Sequence, residues 1–289
     1  MNLYHMPQHS PEYWETRRGL PTASNFKHLI SGAKKIKGVE PYSLKPTGSS
    51  SYIRELIAEV ATLNPNYFTE RSNISRNRAT QHGQETEDEA RQWLSMHLGR
   101  EISRIGFITN DEESLGCSPD GLIRDETGRI IEGIELKCPQ EKTQVEYLDA
   151  RNEVPKEYLP QVHGSLIVTG LPRWHFCSYC PGLDPVHVIV ERDWYTAKLE
   201  KVLQDFLAVY TPKLHEMFPG YAVVADWRKF LRDDPPVETF NARLPEMSAQ
   251  PYAVKKRLWD MAETHAGKLG LVFDNAVKKF VKPVAWEDF

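Results

Sequence analysis

Long apolar runs are missing from this 289-residue chain, and no stretch approaches the ~20 residues a membrane-spanning helix needs. The N-terminus, MNLYHMPQHSPEYWETRR, carries no apolar segment of the kind that directs secretion, so the chain is expected to stay in the cytoplasm where it is made. Cysteine is scarce, 4 in all, which without a secretory signal excludes a disulfide scaffold and points to reduced thiols. Internal repeats and low-complexity tracts are absent, which excludes solenoids and disordered arrays. Also lacking is an excess of basic charge: 36 Lys and Arg stand against 40 Asp and Glu, a net charge of −4. That total speaks against a nucleic-acid partner, because phosphate binding is driven by Lys and Arg. What is present, 40% hydrophobic and 26% charged residues, suffices for one large domain or a domain plus an appendage.

The charge is unevenly spread. Residues 1–80 hold 11 Lys and Arg against 6 Asp and Glu, residues 81–160 hold 9 against 18, and residues 161–289 hold 16 against 16. A basic front and an acidic middle suit a site where phosphates and cations meet, although chance produces such swings too. Ser10-Pro11-Glu12 predicts a helix start, and Thr22-Ala23-Ser24 another, with Phe26, Leu29 and Ile30 on its apolar face. Helical periodicity covers 49–63 and 78–98, and the Lys-, Gly- and Pro-rich stretch 33–47 reads as a loop. From 101 to 138 short apolar runs broken by turn residues predict hairpin strands around Asp125-Glu126-Thr127-Gly128. Helices at about 140–149 and 156–169, strands at 173–179 and 186–190, and a long helix at 193–217 follow. The expectation is a mixed α/β core over 1–220. Residues 221–289 form an appendage: a linker-like break at Asp233-Asp234-Pro235-Pro236, an amphipathic helix at 251–266 and an apolar, aromatic tail.

The chemistry gathers at 118–139, SPDGLIRDETGRIIEGIELKCP. Alternation along a strand puts Glu135 and Lys137 on one face and turns Leu136 into the core. Asp120 and Glu135 converging at a hairpin are hard oxygen ligands suited to Mg²⁺ or Mn²⁺. Lys137 beside them can orient or deprotonate an attacking water and stabilise charge growing on phosphorus. The alternative is a surface hairpin with a solvated Asp and a Glu–Lys pair. Two details oppose it: the charges lie in the apolar run IEGIELKCP, where a buried charge needs a partner or a metal, and Gly121 permits a tight turn.

Four blocks in order complete the pattern: R-x-G-x-x-T-A-S at Arg17–Ser24, G-x-x-x-E-x-x-A at Gly83–Ala90, SPDG…ELKCP at Ser118–Pro139, and Y-x-x-Q-V at Tyr158–Val162. Over about residues 10–215 the chain resembles the lambda-type phage exonucleases, the YqaJ-like recombination nucleases of the PD-(D/E)xK superfamily. The resemblance implies a restriction-endonuclease-like core, a central mixed sheet of hairpin strands flanked by helices. It implies a Mg²⁺-dependent 5′-to-3′ exonuclease that degrades one strand of linear duplex DNA and leaves a 3′ single-stranded tail. It implies two Mg²⁺ per site, replaceable by Mn²⁺: Asp120, Glu135 and the Leu136 backbone carbonyl for one, Asp120 with Glu87 through water for the other. Arg17 and Ser24 are implied to hold the terminal 5′-phosphate, and Gln161 to contact the scissile phosphate or water. A homotrimeric ring and a single-strand annealing partner in phage or prophage recombination, in a bacterial host cytoplasm, are implied as well.

Other residues have readings of their own. Arg17 near a helix start capped by Ser24 makes a phosphate clamp, whereas Arg18 reads as a surface charge. Trp14 and Tyr13 could stack on a terminal base. Glu87, amid Glu85, Asp88 and Glu89, reads alone as part of a solvated face. His163 reads as a core or helix-surface histidine. Cys177-Ser-Tyr-Cys180 with Cys117 and Cys138 raises an iron–sulfur cluster, against which buried thiols on opposite strand faces are the simpler reading. An endonuclease on the same core and a non-catalytic DNA-end-binding scaffold stay open as alternatives.

Overall fold

The computed structural model describes residues 1–34, 37–62, 67, 78–150 and 153–283, with the backbone alone at 78–85. Part of the 33–47 loop, the end of the 49–63 helical segment and the last six residues of the tail lie outside the described residues. The chain begins with β1 (Asn2–Tyr4) and α1 (Pro11–Arg17), followed by a six-residue 3-10 helix, Ala23–His28. Helices α2 (Pro46–Ala61) and α3 (Arg78–Leu98) precede the strands β2 (Ile102–Ser103), β3 (Phe107–Thr109), β4 (Gly116–Cys117), β5 (Gly121–Arg124) and β6 (Ile130–Lys137). Then come α4 (Glu141–Asp149), α5 (Leu159–Thr169), β7 (Arg173–Ser178), β8 (Val186–Glu191) and the long α6 (Trp194–Met217).

The central sheet has five strands in the order β2-β5-β6-β7-β8. All neighbours are antiparallel except β6 and β7, whose parallel pairing sets Glu135 opposite Phe176. A parallel neighbour requires a crossover, and α4 and α5 supply it. The β5–β6 hairpin turns where expected: Asp125 Oδ1 accepts from the Thr127 and Arg129 amides, and Gly128 takes φ 83°. A second sheet, β1-β3-β4, was not legible in the sequence; it splits the run 101–109 between two sheets.

Alternation along β6 decides what each face meets. Ile134 and Leu136 turn toward α3, where Ala90 and Leu94 pack with Ile123 and Cys177. The opposite face, with Leu122, Trp174 and Phe176, meets the 3-10 helix, α2, α5 and α6 in the largest core cluster. Gly164 in α5 permits that contact, since a Cβ there would stand 2.5 Å from a carbon of buried Phe26. The start of α6 is secured by a capping box in which Asp193 accepts from the Thr196 amide and the Thr196 hydroxyl accepts from the Asp193 amide.

Several expectations are corrected. Thr22, not Ser24, is the N-cap of the second helix, which is 3-10 throughout. Gly121 lies in β5 rather than in a turn, and what it provides is room: a Cβ would meet Ile102 at 2.4 Å. The loop after the 3-10 helix ends at Lys45, because α2 already begins at Pro46. Residues 221–250, for which the sequence predicts no element, hold two helices, α7 (Tyr221–Arg232) and α8 (Val237–Ser248), separated by the expected Asp-Asp-Pro-Pro break. Helix α9 (Tyr252–Lys268) and the hairpin β9 (Val272–Asp274)–β10 (Lys279–Val281) follow, and Trp227, Phe240, Leu258 and Phe280 make a separate apolar cluster there. Among the described residues no helix is long and apolar enough to cross a membrane.

Candidate active site

Asp120 stands just before β5, fixed on both sides. Its amide donates to the Ile134 carbonyl at 3.0 Å, and its Oδ2 accepts the Leu136 amide at 2.6 Å. The β5–β6 hairpin therefore brings Asp120 against Glu135, which is only 2% exposed. Glu135 Oε1 accepts from Gln161 Nε2 at 2.5 Å and is ion-paired with Lys137, whose ammonium lies 5.1 Å from the centre of the Tyr158 ring. Two residues apart on β6, Glu135 and Lys137 share the face that meets α5, and α5 brings Tyr158 and Gln161 to that face.

Electrostatics follow from this crowding. Burial, reinforced by the charges of Glu135 and Glu87, lifts Asp120 well above the carboxylate range, with Lys137 pulling the other way. Burial likewise raises Glu135 against the opposing pull of Lys137. Burial works against the Lys137 charge, but Glu135 and Asp120 outweigh it and hold the ammonium above its ordinary pKa. Beside these carboxylates the ammonium stands where it can orient a water or donate to a phosphate oxygen. One buried and one half-buried carboxylate beside one ammonium are a donor set that a hard divalent cation fits, because it would relieve their shared charge. Among the described residues, though, no three His, Cys, Asp or Glu side chains gather into a ready cage.

Glu87, on α3, is partly exposed and paired with Arg91. Arg91 is the residue that sequence reasoning missed. Its Nε donates to the Asp120 backbone carbonyl at 3.0 Å, and its two terminal nitrogens bind Glu87 and Asp88. One guanidinium, 9% exposed, thus ties α3 to the hairpin. The spacing from Glu87 and Asp88, four and three residues, was the available signal.

The Arg17 group reaches this hairpin through hydroxyls. Arg17 ends α1, half-buried; it donates to Tyr13 Oη at 3.1 Å and to Thr22 Oγ1 at 3.3 Å, and Tyr13 Oη lies 2.8 Å from Ser118 Oγ, two residues before Asp120. Among the described residues Arg17 forms no ion pair with a carboxylate. Ser24, exposed, has its hydroxyl 3.4 Å from Thr22 Oγ1. Tyr13 is buried, so it cannot stack on a base, and Trp14 sits with the Arg17 guanidinium 5.3 Å from its ring centre. Arg18 is not a surface charge: it is buried, bound to Glu15 at 2.7 Å and to the Glu59 carbonyl. His163 is a core histidine, 2.8 Å from the Thr196 hydroxyl. The four cysteines are free thiols, and Cys180 lies past the end of β7 rather than within it.

Residues 12–172, more than half the chain, match the YqaJ-like viral recombinase domain. The chain belongs to that family. The fold of this YqaJ-like protein is that of an alkaline exonuclease, LHK-Exo, from Laribacter hongkongensis: the TM-score is 0.56 at 24% identity, over 74% of this chain and 100% of that one. The same enzyme in complex with dAMP matches equally. A phage-related exonuclease from Haemophilus somnus 129PT aligns at 16% identity and TM-score 0.46, over 68% of this chain and 96% of that one. Among curated proteins no sequence matches. The family match covers α1 through α5, and so every candidate residue named above, and stops short of the C-terminal helices.

Proposed function

We propose that this YqaJ-like protein is a 5′-to-3′ exonuclease that hydrolyses one strand of linear duplex DNA and leaves 3′ single-stranded tails for annealing. The observation that carries the reading is the convergence of half-buried Asp120 and buried Glu135 with Lys137 and Gln161 beside β6. Residues 1–220 are the nuclease core in this reading, and 221–289 its appendage.

Asp120, Glu135 and the Leu136 carbonyl would hold one Mg²⁺ or Mn²⁺, and Asp120 with Glu87 through water a second; such cations neutralise phosphate charge and acidify bound water. The rest falls to the chain. Arg17, with Ser24 and Thr22 hydroxyls beside it, holds the terminal 5′-phosphate; a 3-10 helix of six residues adds little dipole, so the guanidinium dominates. Lys137 and Gln161 orient the attacking water and donate to the scissile phosphate. Water oxygen joins phosphorus, the P–O3′ bond breaks, and the 3′-oxygen leaves with a proton. A 5′-mononucleotide departs, and the shortened strand keeps a 5′-phosphate for the next cycle.

The resemblance also supports a homotrimeric ring and a single-strand annealing partner, in a bacterial host cytoplasm. Digestion of linear duplexes with 5′-phosphate or 5′-hydroxyl ends, with and without Mg²⁺, tests the whole reading. Mononucleotides released only with Mg²⁺ and faster from 5′-phosphate ends are expected. Cutting of closed circles identifies an endonuclease instead, and intact linear duplex under all conditions identifies a DNA-end-binding scaffold.

A further inference from the structure

Between Arg17 and Asp120 stands a phenol. Tyr13, 2% exposed, has its ring locked in a small apolar cluster with Tyr4, Leu20 and Phe107, the last edge-on at 5.9 Å. The hydroxyl at the end of that fixed ring accepts from Arg17 Nη1 at 3.1 Å and lies 2.8 Å from Ser118 Oγ. A guanidinium has no acceptor, so Tyr13 receives there and its single proton is left for Ser118. A phenol that receives from a cation is polarised into a stronger donor, which tightens the second bond.

The far end of this chain of hydroxyls is the segment that carries Asp120. Ser118 is held by Tyr13, the Pro119 carbonyl accepts from Gln8 Nε2 at 3.0 Å, and the Asp120 carbonyl and amide are bound to Arg91 and Ile134. Pro119 fixes φ between the two outer residues, so a displacement at Ser118 reaches Asp120 with little slack. The near end can take a ligand. Arg17 forms no ion pair with a carboxylate among the described residues, and with two N–H groups engaged by the Tyr13 and Thr22 hydroxyls it keeps others for a phosphate. A phosphate can therefore be held without breaking the chain.

We infer that Tyr13 is a positioning residue that fixes the 5′-terminal phosphate relative to the Asp120 carboxylate, so that this phosphate speeds the first cleavage and does not merely tighten binding of the end. The inference rests on the reading of Arg17 as the 5′-phosphate clamp. Without the Tyr13 hydroxyl, Arg17 still attracts phosphate, but Arg17 and Ser118 are no longer fixed relative to each other. Reacting groups tolerate little misplacement: a shift of about half an ångström slows a reaction roughly tenfold.

Single-turnover digestion with Mg²⁺ tests this, on linear duplexes with 5′-phosphate or 5′-hydroxyl ends whose first nucleotide alone carries a fluorescent base. Release of that nucleotide is the readout, because every later cycle begins from a 5′-phosphate. A series of enzyme concentrations separates maximal rate from affinity. In the native chain the phosphate should raise both. Tyr13→Phe, which keeps the ring, should keep the gain in affinity and lower the gain in rate by roughly tenfold. Ser118→Ala should do the same, and the double variant should be no worse than either single one, as two links of one chain require. A rate gain preserved in Tyr13→Phe overturns the inference. So do losses that multiply in the double variant, or a loss equal for both kinds of end, which is the result a purely structural tyrosine gives. A native chain that digests neither end, or both alike, overturns the Arg17 reading and this inference with it. A native preference that Arg17→Gln erases and Tyr13→Phe spares overturns this inference alone. Thermal unfolding checks each variant, and Ser118→Ala carries the test if Tyr13→Phe does not fold.

Discussion

Replacing Arg91 by leucine should slow hydrolysis without removing any residue assigned to the chemistry. The size of the effect can be built from its contacts. The bond to Asp88 contributes little, because that carboxylate is 73% exposed and also bound by Arg104. The pair with half-buried Glu87 contributes up to about 1 kcal/mol. The bond from Nε to the Asp120 carbonyl, inside the hairpin, is charge-assisted and contributes about 1.5–3 kcal/mol. Arg91→Leu should therefore lower unfolding free energy by roughly 1.5–4 kcal/mol. Without that anchor the Asp120 main chain is held by its amide bond to Ile134 alone, while its carboxylate keeps the Leu136 amide. A shift of a few tenths of an ångström to an ångström in a reacting group lowers rate by about ten- to a hundredfold. Glu87 also loses its counter-charge, which adds to the repulsion that already raises Asp120. Single-turnover digestion of 5′-phosphorylated duplex, well below the variant's unfolding temperature and across a Mg²⁺ series, separates the two effects. The slower rate should persist in folded protein, and the Mg²⁺ concentration at half-maximal rate should move. Arg91→Lys, which keeps the charge but not the fork, should fall between. If folded Arg91→Leu cuts at the native rate with the native Mg²⁺ requirement, Arg91 is a structural tie and nothing more.

Further outcomes follow from other contacts. Lys137→Ala should reduce hydrolysis by about a hundred- to a thousandfold while duplex binding by fluorescence anisotropy is retained; unchanged cutting would refute its role. Arg17→Gln should erase the preference for 5′-phosphate over 5′-hydroxyl ends in a competition digest, and a preserved preference would move the clamp elsewhere. Gly164→Ala should cost about 1–3 kcal/mol by denaturant unfolding, because its Cβ meets Phe26, the side chain that seats the 3-10 helix carrying Ser24. Burial, with His175 and His97 adding, pushes His187 down to about 4, so the folded chain keeps it neutral while the unfolded chain takes up a proton near 6.5. Its stability contribution is complete above pH 6.5 and lost as pH falls toward 4; His187→Gln should flatten the midpoint-versus-pH curve in that window.

How much of this could be read beforehand depended on range. Local signals served well: Ser10-Pro11 begins α1, the Asp125–Gly128 turn closes the hairpin, and alternation put Glu135 and Lys137 on one side with Leu136 on the other. Partners distant in sequence were not legible. Nothing at residues 2–4 announces a strand, since Asn2–Tyr4 becomes one only by pairing with 107–109. Ser24 looked like a cap because caps are judged from residue type, whereas the chain turns into helix two residues earlier, where Thr22 bridges to Gly116. Arg18 and Tyr13 looked exposed because their burial comes from segments more than forty and a hundred residues away, at Glu59 and Ser118. Helices α7 and α8, on either side of the Asp233–Pro236 break, went unread because each has only 12 residues and Pro245 interrupts the second.

The same distinction explains why an overall charge of −4 is a poor guide to a phosphate-binding surface. A sum counts every arginine alike, yet Arg18, Arg91, Arg228 and Arg257 are buried and bound to main-chain carbonyls. Arg17 is held by hydroxyls and forms no described ion pair, so its charge is still available to an incoming phosphate. The acids divide in the same way: Asp88 faces solvent, while Asp120 and Glu135 are crowded into low-dielectric surroundings where one cation changes their energy by far more than it could at the surface. Where each charge sits, and whether the fold has already answered it, decides whether phosphate can bind; the total does not.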